Sequence, residues 1–132
     1  MNIKSDNILL AVYGTLKYGY YNHTKYLRGV NPVFEGYINI KGVLITNGSY
    51  PLLIGSKNYS NIYIEVYSLS QNLIYELDAL EAPYNLHRES VEISELKKSV
   101  DIYLGPIMPI PEDFILVKNG NWQSTKPFRE IR

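Results

Sequence analysis

Two stretches of this chain carry residue types that could do chemistry together. The first ends at Glu81, the last residue of Ser70-Gln71-Asn72-Leu73-Ile74-Tyr75-Glu76-Leu77-Asp78-Ala79-Leu80-Glu81. Leu73, Ile74, Leu77 and Leu80 recur at helical spacing, and an advance of roughly 100° per residue brings Glu81 onto their apolar face. A carboxylate aimed at apolar surroundings costs free energy unless it is paired. Desolvation also lifts its pKa towards neutrality, where it can take and return a proton. Pro83 should end the helix at or near Glu81. Periodicity alone leaves a second reading open, a frayed helix end whose carboxylate turns to water.

The second stretch is Val12-Tyr13-Gly14-Thr15-Leu16-Lys17. Glycine at the end of an apolar strand permits a tight turn and close approach by a ligand. Successive exposed amides of Gly14, Thr15 and Leu16 could cradle a carboxylate or a developing oxyanion. Taken alone, the stretch reads equally as an ordinary strand-ending turn.

Other chemistries find little to work with. The chain has no cysteine and two histidines, His23 and His87, which removes thiol nucleophiles and disulfides and leaves a poor metal-ligand set. No nucleophile elbow and no phosphate-binding loop is present. Thirteen basic residues balance thirteen acidic ones without forming a stripe, so no nucleic-acid partner is expected. The polar start, Met1 to Asn7, and the short apolar run Ile8 to Val12 do not suit a signal peptide or a membrane span. A soluble, cytoplasmic protein without a membrane partner is expected, and 132 residues suit one domain spanning residues 1–132.

These groups must be held by the elements around them. Strands are expected at Asn7 to Tyr13, Val33 to Ile45, Ile62 to Leu69, Arg88 to Glu95 and Val100 to Leu104, with Tyr50 to Ile54 extended. Gly36 and Gly42 suggest bulges or bends. Tyr18 to Tyr21 reads as a loop, and Asn22 as the cap of a short helix carrying His23, Tyr26 and Leu27. Asn47-Gly48-Ser49 is turn chemistry. Beyond Gly105 the prolines Pro106, Pro109 and Pro111 break the pattern before Phe114-Ile115-Leu116, and Asn119 to Trp122 reads as a turn that plants its tryptophan on the domain. About six short strands and two helices predict an α+β domain built on a curled sheet or a barrel.

At the two chemical stretches the sequence resembles the gamma-glutamylcyclotransferase-like (AIG2-like) family. Tyr13-Gly14-Thr15-Leu16 resembles its YG(T/S)L turn, and Leu77-Asp78-Ala79-Leu80-Glu81 its LDxxE segment. Lys17, Gly19, Asn22 and His23 extend the first match to the YGTLKxGxxNH form of the gamma-glutamylamine cyclotransferase branch. Tyr50-Pro51, Glu65-Val66-Tyr67 and Gly120-Asn121-Trp122 match three more family segments in order. The resemblance runs from about residue 8 to about residue 122. Ile64 stands where the family usually has glycine, and Leu86-His87-Arg88 keeps the family's arginine without the tyrosine shortly before it, a place Tyr84 could fill. The stretch after Glu81 is also compact, so the pocket rim differs from that of the vertebrate enzymes.

The resemblance implies a small mixed β-barrel of about six strands with flanking helices, with no cofactor and no metal. It further implies closure of a gamma-glutamyl amine or amino acid to 5-oxoproline with release of the amine. Glu81 would be the general acid/base, the Gly14, Thr15 and Leu16 amides would bind the substrate, Tyr13 would shape the wall, and Tyr50 is a candidate for the pocket lining. The partner would be that small molecule, and the protein a monomer or homodimer. Packing roles are expected for His23 and Trp122, a solvent-facing or capping one for Asp78, and for Arg88 either an acid partner near the pocket or exposure. Two other functions stay open: removal of a gamma-glutamyl group from a biosynthetic or nucleotide-linked intermediate, and a non-catalytic binding or interaction module.

Overall fold

Alternating apolar and polar residues become six strands in the computed structural model, which describes residues 6–124. Most of the polar N-terminal stretch, residues 1–5, lies outside that range. The strands are β1 (Ile8–Val12), β2 (Phe34–Thr46), β3 (Pro51–Leu69), β4 (His87–Ile93), β5 (Lys98–Leu104) and β6 (Ile115–Leu116). Two α-helices, α1 (Tyr21–Tyr26) and α2 (Gln71–Glu81), accompany them. The strands lie side by side as β4-β5-β1-β3-β2-β6. β1 runs parallel to β5, and the other neighbours are antiparallel. The α+β class holds.

The expected barrel is a curled sheet that does not close. β4 and β6 are its edges. The curl comes from a break in register: Lys41 pairs with Tyr59, but Gly42 pairs with Gly55, leaving Ser56 to Asn58 unpaired in a bulge. Of the two glycines expected to bend the sheet, Gly42 sits at this break and Gly36 pairs regularly with Ile64. Beyond the bulge the start of β3 swings towards the end of β5. There the Gly105 N–H donates to the Leu53 carbonyl at 2.8 Å and the Gly55 N–H to the Gly105 carbonyl at 3.0 Å. The polar bulge is also why two separate extended stretches were expected where one 19-residue strand forms.

β1 shows how the sheet divides the core. It is flanked on both sides, and its side chains alternate between faces. Leu10 and Val12 join Leu27, Tyr67, Leu69, Ile74 and Leu77 on the α2 side. Ala11 and Tyr13 join Ile38, Ile64, Val66, Ile102 and Trp122 on the other. Ile64, where the family usually has glycine, is thus a core residue. Trp122 is 1 % exposed, and its indole Nε1–H donates to Thr46 Oγ1 at 2.9 Å, so the Asn119–Trp122 turn does plant it in the core.

The ends of α2 follow local rules. Ser70 caps it, its hydroxyl accepting from the Leu73 N–H at 3.2 Å. After Glu81 the chain tightens into a 3₁₀ turn over Ala82–Tyr84 containing Pro83, then reverses at Asn85 with φ 61°. Asparagine tolerates that left-handed conformation, so the helix stops where the sequence predicts. Ile74 and Leu77 are fully buried, and Leu73 and Leu80 partly so. Among the described residues, no helix is long and apolar enough to cross a membrane.

Candidate active site

Glu81 is half-buried at the end of α2 and lines a pocket of about 270 Å³. No hydrogen-bond donor or cation among the described residues pairs with its carboxylate. Burial alone pushes its pKa up to about 7. Burial raises the pKa values of Tyr13 and Tyr103, and the nearby Glu81 charge adds a smaller push in the same direction to both. The acid therefore faces the end of β1, and the frayed, water-facing alternative is excluded.

Across the pocket lies the turn after β1. Its carbonyls point away: that of Gly14 accepts from the Lys17 N–H at 3.0 Å, and that of Thr15 from the His23 N–H at 3.2 Å. The Leu16 carbonyl accepts from His23 Nδ1 at 3.0 Å, which requires the proton on Nδ1. In a trans peptide the next N–H points opposite to the carbonyl, so the Thr15 and Leu16 amides face the other way. Among the described residues, the N–H groups of Gly14, Thr15 and Leu16 have no acceptor, and all three residues line the pocket. His23 is buried and holds this loop, the packing role expected of it.

Gly14 is required for a reason the sequence did not reveal. It does not adopt a positive φ. A Cβ at this position would meet Pro51 Cγ at 2.7 Å and Cδ at 3.1 Å. The glycine thus lets the Tyr50-Pro51 segment close against the turn, which brings Tyr50 into the pocket wall. Tyr13 contributes a wall and no free hydroxyl, because its buried Oη donates to the Tyr103 carbonyl at 2.7 Å.

All six residues singled out from sequence, Tyr13, Gly14, Thr15, Leu16, Tyr50 and Glu81, line this one pocket. Asn22 was misread. It lies inside α1, whose N-cap is Tyr20, and its Nδ2 donates to Thr15 Oγ1 at 2.8 Å. That bond leaves the Thr15 hydroxyl proton available to the pocket. Tyr84 also lines the pocket, its ring 4.9 Å from that of Tyr50, in the region where the family tyrosine is missing. Asn22 lines the pocket as well, and Ser49 and Tyr103 add to the wall without any local signal that could have marked them.

Asp78 is not a cap, and its side chain, though 37 % exposed, is held by partners rather than left to solvent. Its carboxylate accepts from Arg88 Nε at 2.8 Å, Arg88 Nη2 at 3.1 Å and the Tyr103 hydroxyl at 2.7 Å. Arg88 Nη1 donates to Asp101 Oδ2 at 2.8 Å, which adds to the rise that Asp78 gives the arginine's pKa. This network ties α2 to β4 and β5 one turn before Glu81. Because the groups are partly exposed, Asp78→Ala should cost about 1–2 kcal/mol in urea unfolding. A change under about 0.5 kcal/mol would show that solvent screens the network completely.

Residues 10–124 match the family described as gamma-glutamyl cyclotransferase, AIG2-like. The chain belongs to that family. A Methanocaldococcus jannaschii protein named "Putative gamma-glutamylcyclotransferase" is 29 % identical over 115 residues, covering 85 % of this chain and 92 % of its own. Among solved structures, an uncharacterized Pyrococcus horikoshii protein superposes with a TM-score of 0.68 at 20 % identity, covering 86 % of this chain and 88 % of its own. The AIG2-like protein of mouse does so with a TM-score of 0.63 at 21 % identity, covering 92 % and 91 %. Those two likenesses establish a shared gamma-glutamyl cyclotransferase-like fold. Among the described residues of this family member, no group of three or more acidic or histidine side chains could hold a metal ion.

Proposed function

We propose that the pocket converts a gamma-glutamyl amine or gamma-glutamyl amino acid to 5-oxoproline and the free amine, with Glu81 as general acid/base. One observation carries this reading: a desolvated carboxylate without a partner among the described residues lines the same small pocket as a turn whose main-chain N–H groups find no acceptor there. The substrate's own α-amine is the nucleophile. Its nitrogen attacks the γ-carbonyl carbon, and Glu81 removes the proton as the ring C–N bond forms. The original amide C–N bond then breaks, and Glu81 returns the proton to the leaving nitrogen. A pKa near 7 suits both halves of that exchange. The Gly14, Thr15 and Leu16 amides hold the α-carboxylate or the carbonyl oxygen as it becomes negative. The wall that Tyr13, Tyr50 and Tyr84 form keeps the substrate folded so that amine and carbonyl meet.

The test is incubation with a panel of gamma-glutamyl amines, amino acids and peptides, assayed for 5-oxoproline. Release of 5-oxoproline from at least one of them is the expected result. Binding of gamma-glutamyl compounds without release would favour a non-catalytic module on the same fold.

A further inference from the structure

Two buried titratable residues, Lys17 and Glu65, take no part in the proposed reaction and do not line the pocket that holds Glu81. Lys17 follows directly on the amide-bearing turn and is 4 % exposed. Its Nζ donates to Asn121 Oδ1 at 2.7 Å and to the Trp122 carbonyl at 2.6 Å. The ammonium also lies 5.5 Å from the Tyr63 ring centroid. Glu65, in β3, is 7 % exposed, and its Oε1 accepts from the Tyr18 N–H at 2.9 Å and from the Tyr67 hydroxyl at 2.7 Å. Both residues border a second, more open hollow on the far side of the turn. A buried ammonium is tolerated only where fixed acceptors hold it, and burial draws Lys17's pKa down to about 8 against the opposing pull of Glu65. Successive residues just after Leu16 are thus pinned to two different elements.

We propose that Lys17 and Glu65 are positioning residues for the anion-binding turn. The ammonium ties the turn to the Gly120–Trp122 segment, the carboxylate ties it to β3, and together they keep the Gly14, Thr15 and Leu16 amides facing the substrate. This rests on the reading of that turn as the site of the substrate's anionic group.

The test compares Lys17→Met, which keeps the stem and removes the charge, with Asn121→Ala, which removes one acceptor and touches the Glu81 pocket nowhere. Amide resonances are followed in ¹H–¹⁵N spectra during titration with 5-oxoproline, and kcat/KM is measured against pH. Lys17→Met should weaken 5-oxoproline binding and lower kcat/KM about tenfold or more, and Asn121→Ala about threefold, with the half-point of the pH profile unmoved. Lower melting temperatures with unchanged affinity and kcat/KM per folded molecule would overturn the proposal. If Lys17→Met fails to fold, Asn121→Ala carries the test. If the wild type neither binds 5-oxoproline nor turns over any gamma-glutamyl compound, it is the functional reading that fails. The free-state spectra then still decide the positioning claim. Shifts in either variant confined to Gly14–Lys17 and Gly120–Trp122 uphold it, and unchanged Gly14, Thr15 and Leu16 amides overturn it.

Discussion

Glu81→Gln should abolish most turnover while making the protein more stable above neutral pH. Removing a general acid/base typically costs 10²–10⁴-fold, so kcat is expected to fall by about that factor. Glutamine keeps the shape and loses the proton exchange. The stability gain follows from linkage. The folded-state pKa of about 7 lies above the ordinary value of 4.5, so between those pH values the folded state binds more protons than the unfolded one. Stability contributed by this group is therefore present at pH 4 and is lost as pH rises towards 8. The loss in the wild type is at most about 3 kcal/mol, reduced by solvent at the open pocket mouth. Glu81→Gln should show no such loss and should melt later than the wild type at pH 8. A variant that is active, or less stable than the wild type at pH 8, would contradict the inward, unpaired acid.

Gly14→Ala should have the second-largest effect, through packing rather than charge. The added Cβ would stand 2.7 Å from Pro51 Cγ, and a proline ring has little freedom to retreat. Either the turn or the Tyr50-Pro51 segment must move, and both are walls of the same pocket. Overpacking of this kind costs about 1–3 kcal/mol. A displacement of even part of an ångström at the amides should lower kcat/KM by about 10–100-fold. Thermal unfolding and kinetics check the two parts separately. Near-wild-type values of both would mean that the contact relaxes freely, and that Gly14 serves some other purpose.

Much of this was legible because local rules and burial agreed. α2 announced itself through Leu73, Ile74, Leu77 and Leu80, its start through Ser70 and its end through Pro83, so Glu81 could be placed on the inward face before any coordinates. β1 was short, apolar and followed by glycine, which marked the turn. The failures lie where a side chain serves a distant partner. Asp78 falls off the apolar stripe and reads as exposed, yet Arg88 and Tyr103, 10 and 25 residues away in sequence, claim its carboxylate. Asn22 has the chemistry of a cap, but Thr15 draws its amide into the loop instead. Gly14 looked like a backbone-flexibility residue, and only the fold reveals Pro51 against it. That the curled sheet stays open was also beyond sequence, because it depends on how far the Ser56–Asn58 bulge swings β3 towards Gly105.

The most direct test of the central claim is the pH dependence of kcat/KM for the wild type on a gamma-glutamyl substrate, followed by 5-oxoproline release from pH 4.5 to 8. With Glu81 required in its deprotonated form, activity should rise through that range with its half-point near 7, the value to which burial lifts this acid. A profile flat across the range, or one already at its plateau by pH 5.5, would mean that the acid doing the work is solvated or is not Glu81.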